Sequence, residues 1–322
     1  MSEVLSEVLL ETKGLKKYFH IGRDVSLHAV DNVNLQIYKG STLGVVGESG
    51  CGKTTLGRTV LGLLPATAGQ ILFEGKDIAG YNTKQLKPLR RELQIIFQDP
   101  YSSINPRHSI KKTIGEPLLV NGIISNKRER EEKVLELMET VGLARRLENS
   151  YPHELDGGRR QRVGIARALA VNPKFIVCDE PVSALDVSIQ AQILNLLMDL
   201  QERMDLTYMF ITHDLSVVRH ISTEIAVMYL GQCIERAPSR ELFNNPMHPY
   251  TKGLISAIPI ADARARDVET EIIKGELSSP INPKPGCRFA SRCPHAAAKC
   301  SGADIPLKDM GEGHFVSCVL YH

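Results

Sequence analysis

Gly47-Glu48-Ser49-Gly50-Cys51-Gly52-Lys53-Thr54-Thr55 matches the pattern G-x-x-x-x-G-K-S/T. Before it, Leu43-Gly44-Val45-Val46 is a short apolar run of the buried-strand kind. After it, Leu56, Val60, Leu61 and Leu64 recur at helical spacing. A strand, a glycine-rich turn and a helix in that order are the context in which this pattern holds phosphate. The glycines Gly47, Gly50 and Gly52 let backbone N–H groups converge on phosphate oxygens, and the helix N-terminus adds a favourable dipole. Ser49, Cys51 and Thr55 complete the cradle. Lys53 places a charge on the β- and γ-phosphates, and the Thr54 hydroxyl is a hard oxygen ligand for Mg²⁺.

Further along, Phe175-Ile176-Val177-Cys178-Asp179-Glu180 reads as a second strand ending in two acids. Standing alone, such a pair is ordinarily a solvated loop. Beside a phosphate loop it is the expected partner: Asp179 supports Mg²⁺ through water, as in a Walker B motif, and Glu180 orients or deprotonates the attacking water.

The 322-residue chain has room for a large α/β domain and an appendage. Its 43% hydrophobic and 24% charged residues are an ordinary globular balance. The net charge of +2 predicts neither nucleic-acid binding nor attraction to anionic lipid. The opening MSEVLSEVLLETKG lacks the basic and apolar regions of a signal peptide, and no apolar run approaches the roughly 20 residues that span a bilayer. The expectation is a protein kept inside the cell that meets membranes through protein partners. Of seven cysteines, Cys287, Cys293, Cys300 and Cys318 crowd into the tail. In a reducing compartment that grouping points to metal rather than disulfides.

Residues 7–46 read as strand-rich, with partial alternation over 27–37, and 71–74 and 93–97 also read as strands. Residues 126–141 predict an amphipathic helix with Val134, Leu137, Met138 and Val141 on its apolar side and Ser125 as N-cap. A second α/β run follows: strand 175–178, helix 189–200, and strands 208–211 and 225–229. Strands alternating with helices imply a mostly parallel sheet. After Met247 the pattern weakens, and Pro280, Pro283, Pro285 and Gly286 mark a linker-like stretch.

With these motifs in order, residues 7–250 resemble the nucleotide-binding domains of the ABC family. Gln98, in Ile95-Ile96-Phe97-Gln98-Asp99-Pro100, is placed like the Q-loop glutamine, which joins the Mg²⁺ and water network and senses membrane subunits. Leu155-Asp156-Gly157-Gly158-Arg159 sits where the family carries its LSGGQ signature, and Pro181 to Asp186 resembles the D-loop. His213 resembles the switch histidine that contacts the γ-phosphate, and Tyr18 the aromatic that stacks on adenine. The resemblance implies that ATP is clamped between two domains joined head to tail, with Gly157 and Gly158 donating to a nucleotide on the partner's phosphate loop.

Two signature positions depart from the family: Asp156 replaces the usual serine and Arg159 the usual glutamine. An ionised aspartate accepts hydrogen bonds but cannot donate them. Two unit charges about 4 Å apart repel by roughly 4 kcal/mol at an effective dielectric near 20. Arg159 is positioned to offset this by pairing with Asp156 or with phosphate. The expectation is poor hydrolysis at the composite site using this signature, and an intact site around Lys53, Glu180 and His213.

Only one phosphate loop is present, and roughly a hundred residues without heptads or paired cysteines separate it from the signature. This disfavours ribosome-associated and DNA-repair ATPases of the superfamily. Asn245-Pro246-Met247-His248-Pro249-Tyr250-Thr251 and the tail cysteines resemble the dipeptide/oligopeptide importer branch, which includes nickel and some sugar importers. That branch associates its four cysteines with a 4Fe–4S cluster. The C-x5-C-x6-C-x17-C spacing matches neither the ferredoxin run nor a zinc finger, so spacing alone leaves cluster, zinc and free thiols open. A small Pro-rich tail with few large apolar residues would gain folding free energy from a metal.

The resulting expectation is a RecA-like α/β core with an N-terminal antiparallel β subdomain and a helical subdomain near 100–160, together forming an ATPase domain over 1–250. Residues 251–322 are expected as a cysteine-rich metal-bearing extension. Functionally, the resemblance implies an ATP-hydrolysing subunit with Mg²⁺ on Thr54, Gln98 and Asp179, working at the cytoplasmic face of the cell membrane. Its partners are expected to be a second ABC ATPase, two permeases and, indirectly, a substrate-binding protein. The alternatives are a regulatory nucleotide-binding subunit, or an importer of nickel or another small solute.

Overall fold

The computed structural model describes residues 7–258, 275 and 278–321. The signal-peptide reading falls partly on 1–6 and the extension partly on 259–274, which lie outside the described residues. The chain forms two compact units: residues 38–41 and 81–211, here the signature unit, and residues 7–37, 42–80 and 212–321, the phosphate-loop unit.

The phosphate-loop unit opens with β1 (Val8–Gly22) and β2 (Val25–Tyr38). After β3 (Thr42–Val46) come α1 (Lys53–Val60), β4 (Ala68–Phe73) and β5 (Lys76–Asp77). Strands β2-β1-β4-β5 form one sheet in that order, with antiparallel β1–β4 and β4–β5 pairs. This is the N-terminal antiparallel β subdomain expected from the family resemblance. Leu9, Leu10, Leu15, Val30, Val33, Leu35 and Ile37 are among its buried apolar side chains.

The signature unit begins with α2 (Thr83–Leu89), β6 (Leu93–Ile96), α3 (Pro100–Ser103), α4 (Ile110–Val120), α5 (Lys127–Thr140) and α6 (Gly157–Leu169). It continues with β7 (Phe175–Asp179), α7 (Val187–Met204) and β8 (Thr207–Ile211). Strands β6, β7 and β8 are parallel and in register, and every residue of β7 and β8 is buried. That is the run expected of strands covered on both faces. The apolar stripe of α5 buries Val134, Leu137 and Met138 as its spacing predicts. Its N-cap is Asn126 rather than Ser125, because the Asn126 side chain accepts from the N–H groups of Arg128 and Glu129.

The chain then returns to the phosphate-loop unit through α8 (Leu215–Ile221), β9 (Glu224–Tyr229), β10 (Gln232–Pro238), α9 (Ser239–Asn244) and α10 (Pro249–Ser256). It finishes with β11 (Lys308–Asp309) and β12 (Phe315–Val316). In this unit the strand order is β11-β12-β10-β9-β3, with β3–β9 parallel and the pairs beyond β9 antiparallel.

The tail is better anchored than its composition suggests. Phe289 is buried in a core with Val46, Tyr229, Leu230, Leu242 and Tyr250, and partly buried Cys287 and Cys293 pack on the same core. Its ring meets Tyr229 and Tyr250 edge-on at 5.3 and 5.4 Å, an arrangement worth about 0.5–1.5 kcal/mol per pair beyond area burial. Deeper still, the buried Glu235 carboxylate accepts from the N–H groups of Met247 and His248 and lies 2.7 Å from His314 Nε2. Three partners on a fully buried carboxylate tie β10, the start of α10 and the tail together. The tail thus borrows an existing core, so metal is not its sole source of order.

Candidate nucleotide site

The phosphate loop lies between β3 and α1, as the sequence predicts. Gly52 has φ of 103°, a left-handed conformation, and a Cβ there would sit 1.9 Å from the Ala29 carbonyl oxygen. Only glycine meets both conditions. Lys53 is buried, and its Nζ donates to the carbonyl oxygens of Gly47 and Glu48 at 2.8 and 3.0 Å. The ammonium is thereby fixed inside the curve of the loop. Cys51 is buried and its thiol pKa is raised, chiefly by burial, which suits a packing role rather than a nucleophile.

Tyr18 stacks on His28 with ring centroids 3.8 Å apart and planes 13° apart. Its hydroxyl donates to Asp31, which lies 3.3 Å from His28 Nδ1. Burial first, and the Asp31 hydrogen bond second, push the phenol's pKa upward. One face of the ring is therefore occupied by a second aromatic, and the Lys16 ammonium lies over the ring 5.9 Å from its centroid. His213 is exposed between Thr212, whose N–H bonds to Val45 of β3, and Asp214, whose carboxylate caps α8.

In the signature unit, Gln98 follows β6 and its Nε2 donates to Glu180 Oε2 at 2.8 Å. The two groups read as water-positioning and basic residues are thus in direct contact. Asp179 ends β7 almost fully buried. Glu180 then turns out of the strand with φ of 47°, and its N–H bonds to Ile211 at 2.9 Å. A non-glycine residue in this region carries strain of about 1–3 kcal/mol.

The signature residues open α6. Asp156 is its N-cap, accepting from Arg159 N–H at 2.8 Å, and the Arg159 guanidinium lies 3.4 Å from the same carboxylate. Both side chains are about half exposed, so the pair is largely solvent-screened. A Cβ on Gly158 would sit 2.7 Å from Ile189 of α7, so this glycine is also required by packing within the chain.

None of the seven cysteines forms a disulfide. Burial pushes Cys287 up to about 11, and the neighbouring Cys300, Cys318 and Cys293 thiols push the same way; Cys318 is raised by burial and by Cys293 and Cys300. Cys287 therefore lies within electrostatic reach of the other three tail sulfurs. Among the described residues, no group of three or more His, Cys, Asp or Glu side chains is gathered as a single-ion site. Pattern reading missed Glu48, Asp31, Tyr250, Arg288 and Arg292, which join the tail to the phosphate loop and to β2 within their unit. The signal for Tyr250 lay in the quoted His-Pro-Tyr segment; the two arginines had only their adjacency to cysteines.

A phosphate loop on an α/β core, an acid-terminated strand and a glutamine held on its glutamate define a P-loop ATPase. Residues 30–183 match the ABC transporter family, and residues 234–300 match the C-terminal region of oligopeptide/dipeptide transporters. The chain is 49% identical over 330 residues to the oligopeptide transport ATP-binding protein AppF of Bacillus subtilis, covering all of both chains. It is 48% identical over 322 residues to the oligopeptide transport ATP-binding protein OppF of Haemophilus influenzae, covering 97% of each. The dimeric ATP-binding cassette MJ0796, solved with ADP and Pi, superposes with a TM-score of 0.66 at 30% identity, over 72% of this chain and 99% of that one. CbiO1 of Clostridium perfringens, part of the ABC transporter complex cbiONQ, gives 0.67 at 28% identity, over 74% and 92%. The chain belongs to the ATP-binding subunits of ABC transporters, and it is an ATPase. No helix among the described residues is long and apolar enough to cross a membrane.

Proposed function

We propose that this chain powers the import of di- and oligopeptides, as one of two ATPase subunits at the cytoplasmic face of two permeases fed by a substrate-binding protein. The observation that carries this reading is the end-to-end similarity to oligopeptide transport ATP-binding proteins, tail included. Lys53 and the loop N–H groups bind the ATP phosphates, Tyr18 receives the base, and Gly157 and Gly158 close on a nucleotide held by the partner subunit. Glu180 takes a proton from the attacking water, with Gln98 and His213 positioning that water and the γ-phosphate. Thr54, Gln98 and Asp179 offer the hard oxygen donors that suit Mg²⁺, which would neutralise charge on the β- and γ-oxygens. With the permeases and a peptide-loaded binding protein in proteoliposomes, ATP hydrolysis should rise several-fold. Stimulation by nickel or another solute but not by peptides would overturn the peptide assignment.

Within this reading, the tail thiols Cys287, Cys293, Cys300 and Cys318 hold a 4Fe–4S cluster. Cys287 N–H bonds to the Cys300 carbonyl at 2.8 Å and Cys287 packs with Cys293 on one core, and four cysteine sulfurs suit such a cluster, which would tie the tail's short turns together. Anaerobically purified protein should be brown, with about four irons per chain. Zinc, or no metal, in the same sample would remove the cluster.

Asp156 is proposed to restrain hydrolysis at the composite site that uses this signature. Asp156→Ser keeps a good N-cap and removes a negative charge from the γ-phosphate's path. ATP turnover of the assembled transporter should rise several-fold, and an unchanged rate would show that the Arg159 pairing already cancels the charge.

A further inference from the structure

Two arginines sit just inside the first pair of tail cysteines: Arg288 follows Cys287 and Arg292 precedes Cys293. Both reach the nucleotide-binding elements of their own unit. Arg292 forms a two-pronged ion pair with Glu48, with Nη1 to Oε2 at 2.9 Å and Nη2 to Oε1 at 3.2 Å. Its Nη1 also donates to the Tyr229 hydroxyl at 3.3 Å, and the side chain is only 8% exposed. Glu48 is the second residue of the phosphate loop, and its N–H donates to the Tyr250 hydroxyl at 2.9 Å. The loop is therefore held at this residue by its backbone and by its side chain.

Arg288 does the corresponding thing at the other end. It donates to the Asp31 carboxylate and to the Leu230 carbonyl, with its side chain 6% exposed. Asp31 in turn accepts the Tyr18 hydroxyl. Two arginines four positions apart in the tail thus reach the loop placed for the phosphates directly and the residue placed for the base through Asp31.

We infer that residues 288–292 are a positioning clamp for ATP. Arg292 cancels the Glu48 charge beside the phosphate cradle, and Arg288 holds Tyr18 for the base through Asp31. The clamp rests on the reading of residues 47–55 and Tyr18 as the nucleotide site. A bidentate guanidinium–carboxylate pair fixes direction as well as charge, so lysine is not an equivalent substitute at position 292. Without Arg292, the Glu48 carboxylate faces an incoming polyphosphate with its charge uncompensated. That predicts a particular rescue: removing the second charge should undo the loss of the first. An arginine serving only to fasten the tail would show no such rescue, because Glu48→Gln restores no contact to the tail.

The test is equilibrium binding of ATP and inorganic triphosphate to the full chain, with thermal melting of each variant alongside. Arg292→Ala should weaken both ligands by about tenfold, the equivalent of about 1.4 kcal/mol. Adding Glu48→Gln to Arg292→Ala should recover most of that loss, and Arg292→Lys should fall between wild type and Arg292→Ala. Arg288→Ala should weaken ATP several-fold while leaving triphosphate unchanged, because its path ends at the base. Wild-type affinity in Arg292→Ala, or no recovery in the double variant, would overturn the clamp. If Arg292→Ala does not fold, wild-type affinity in Arg292→Lys does the same. A wild-type chain that binds neither ligand would instead overturn the nucleotide-site reading beneath it.

Discussion

Glu180→Gln is expected to bind ATP with wild-type affinity while turning it over about a thousandfold more slowly. The substitution preserves shape, and an amide can still meet Gln98 Nε2 through its oxygen, so the contact at 2.8 Å survives. What disappears is a group able to take the proton from water as it attacks the γ-phosphate. The backbone N–H of residue 180 still bonds to Ile211, and the left-handed φ of 47° is unaffected by the side-chain amide. Binding measured with labelled ATP and turnover measured by phosphate release separate the two effects. Undiminished turnover would remove Glu180 from the role of base.

Lys53→Ala should act one step earlier, raising the Kd for ATP by about a hundredfold, or about 2.7 kcal/mol. Lys53 Nζ is held by the Gly47 and Glu48 carbonyl oxygens, so its charge is delivered to the phosphate cradle without conformational search. Alanine removes that charge and leaves two carbonyl oxygens, themselves partially negative, to face the phosphates. Titration of the purified chain with ATP reads this directly. Equal affinity in the variant would mean that the loop N–H groups alone account for binding.

Much of the site was legible before any fold was known. Residues 47–55 follow, and residues 175–180 end, a strand short and apolar enough to be read by pattern. Helix ends were less legible. Helix α6 begins at Gly157, where glycines and arginines carry no apolar period and the Asp156 cap decides where the helix opens. The same blindness moved the N-cap of α5 from Ser125 to Asn126, since both are good caps and only the turn geometry chooses between them. Strands β10 and β12 also went unread. The first mixes charged and apolar residues, and the second is two residues long, so pairing across the chain defines them rather than period.

By itself, the sequence determined that this chain handles nucleoside triphosphates, because a lysine, a hydroxyl and converging amides need only a few consecutive residues to act together. It likewise determined the class of core, since apolar spacing directly reports which faces are buried. Only the tertiary structure decided that the tail's Arg292 lies on Glu48, 244 positions away, and that Tyr250 reaches the same residue across 202. Such contacts depend on where β9, β10 and the Phe289 core carry the chain, and no local pattern encodes a meeting of residues brought together by folding.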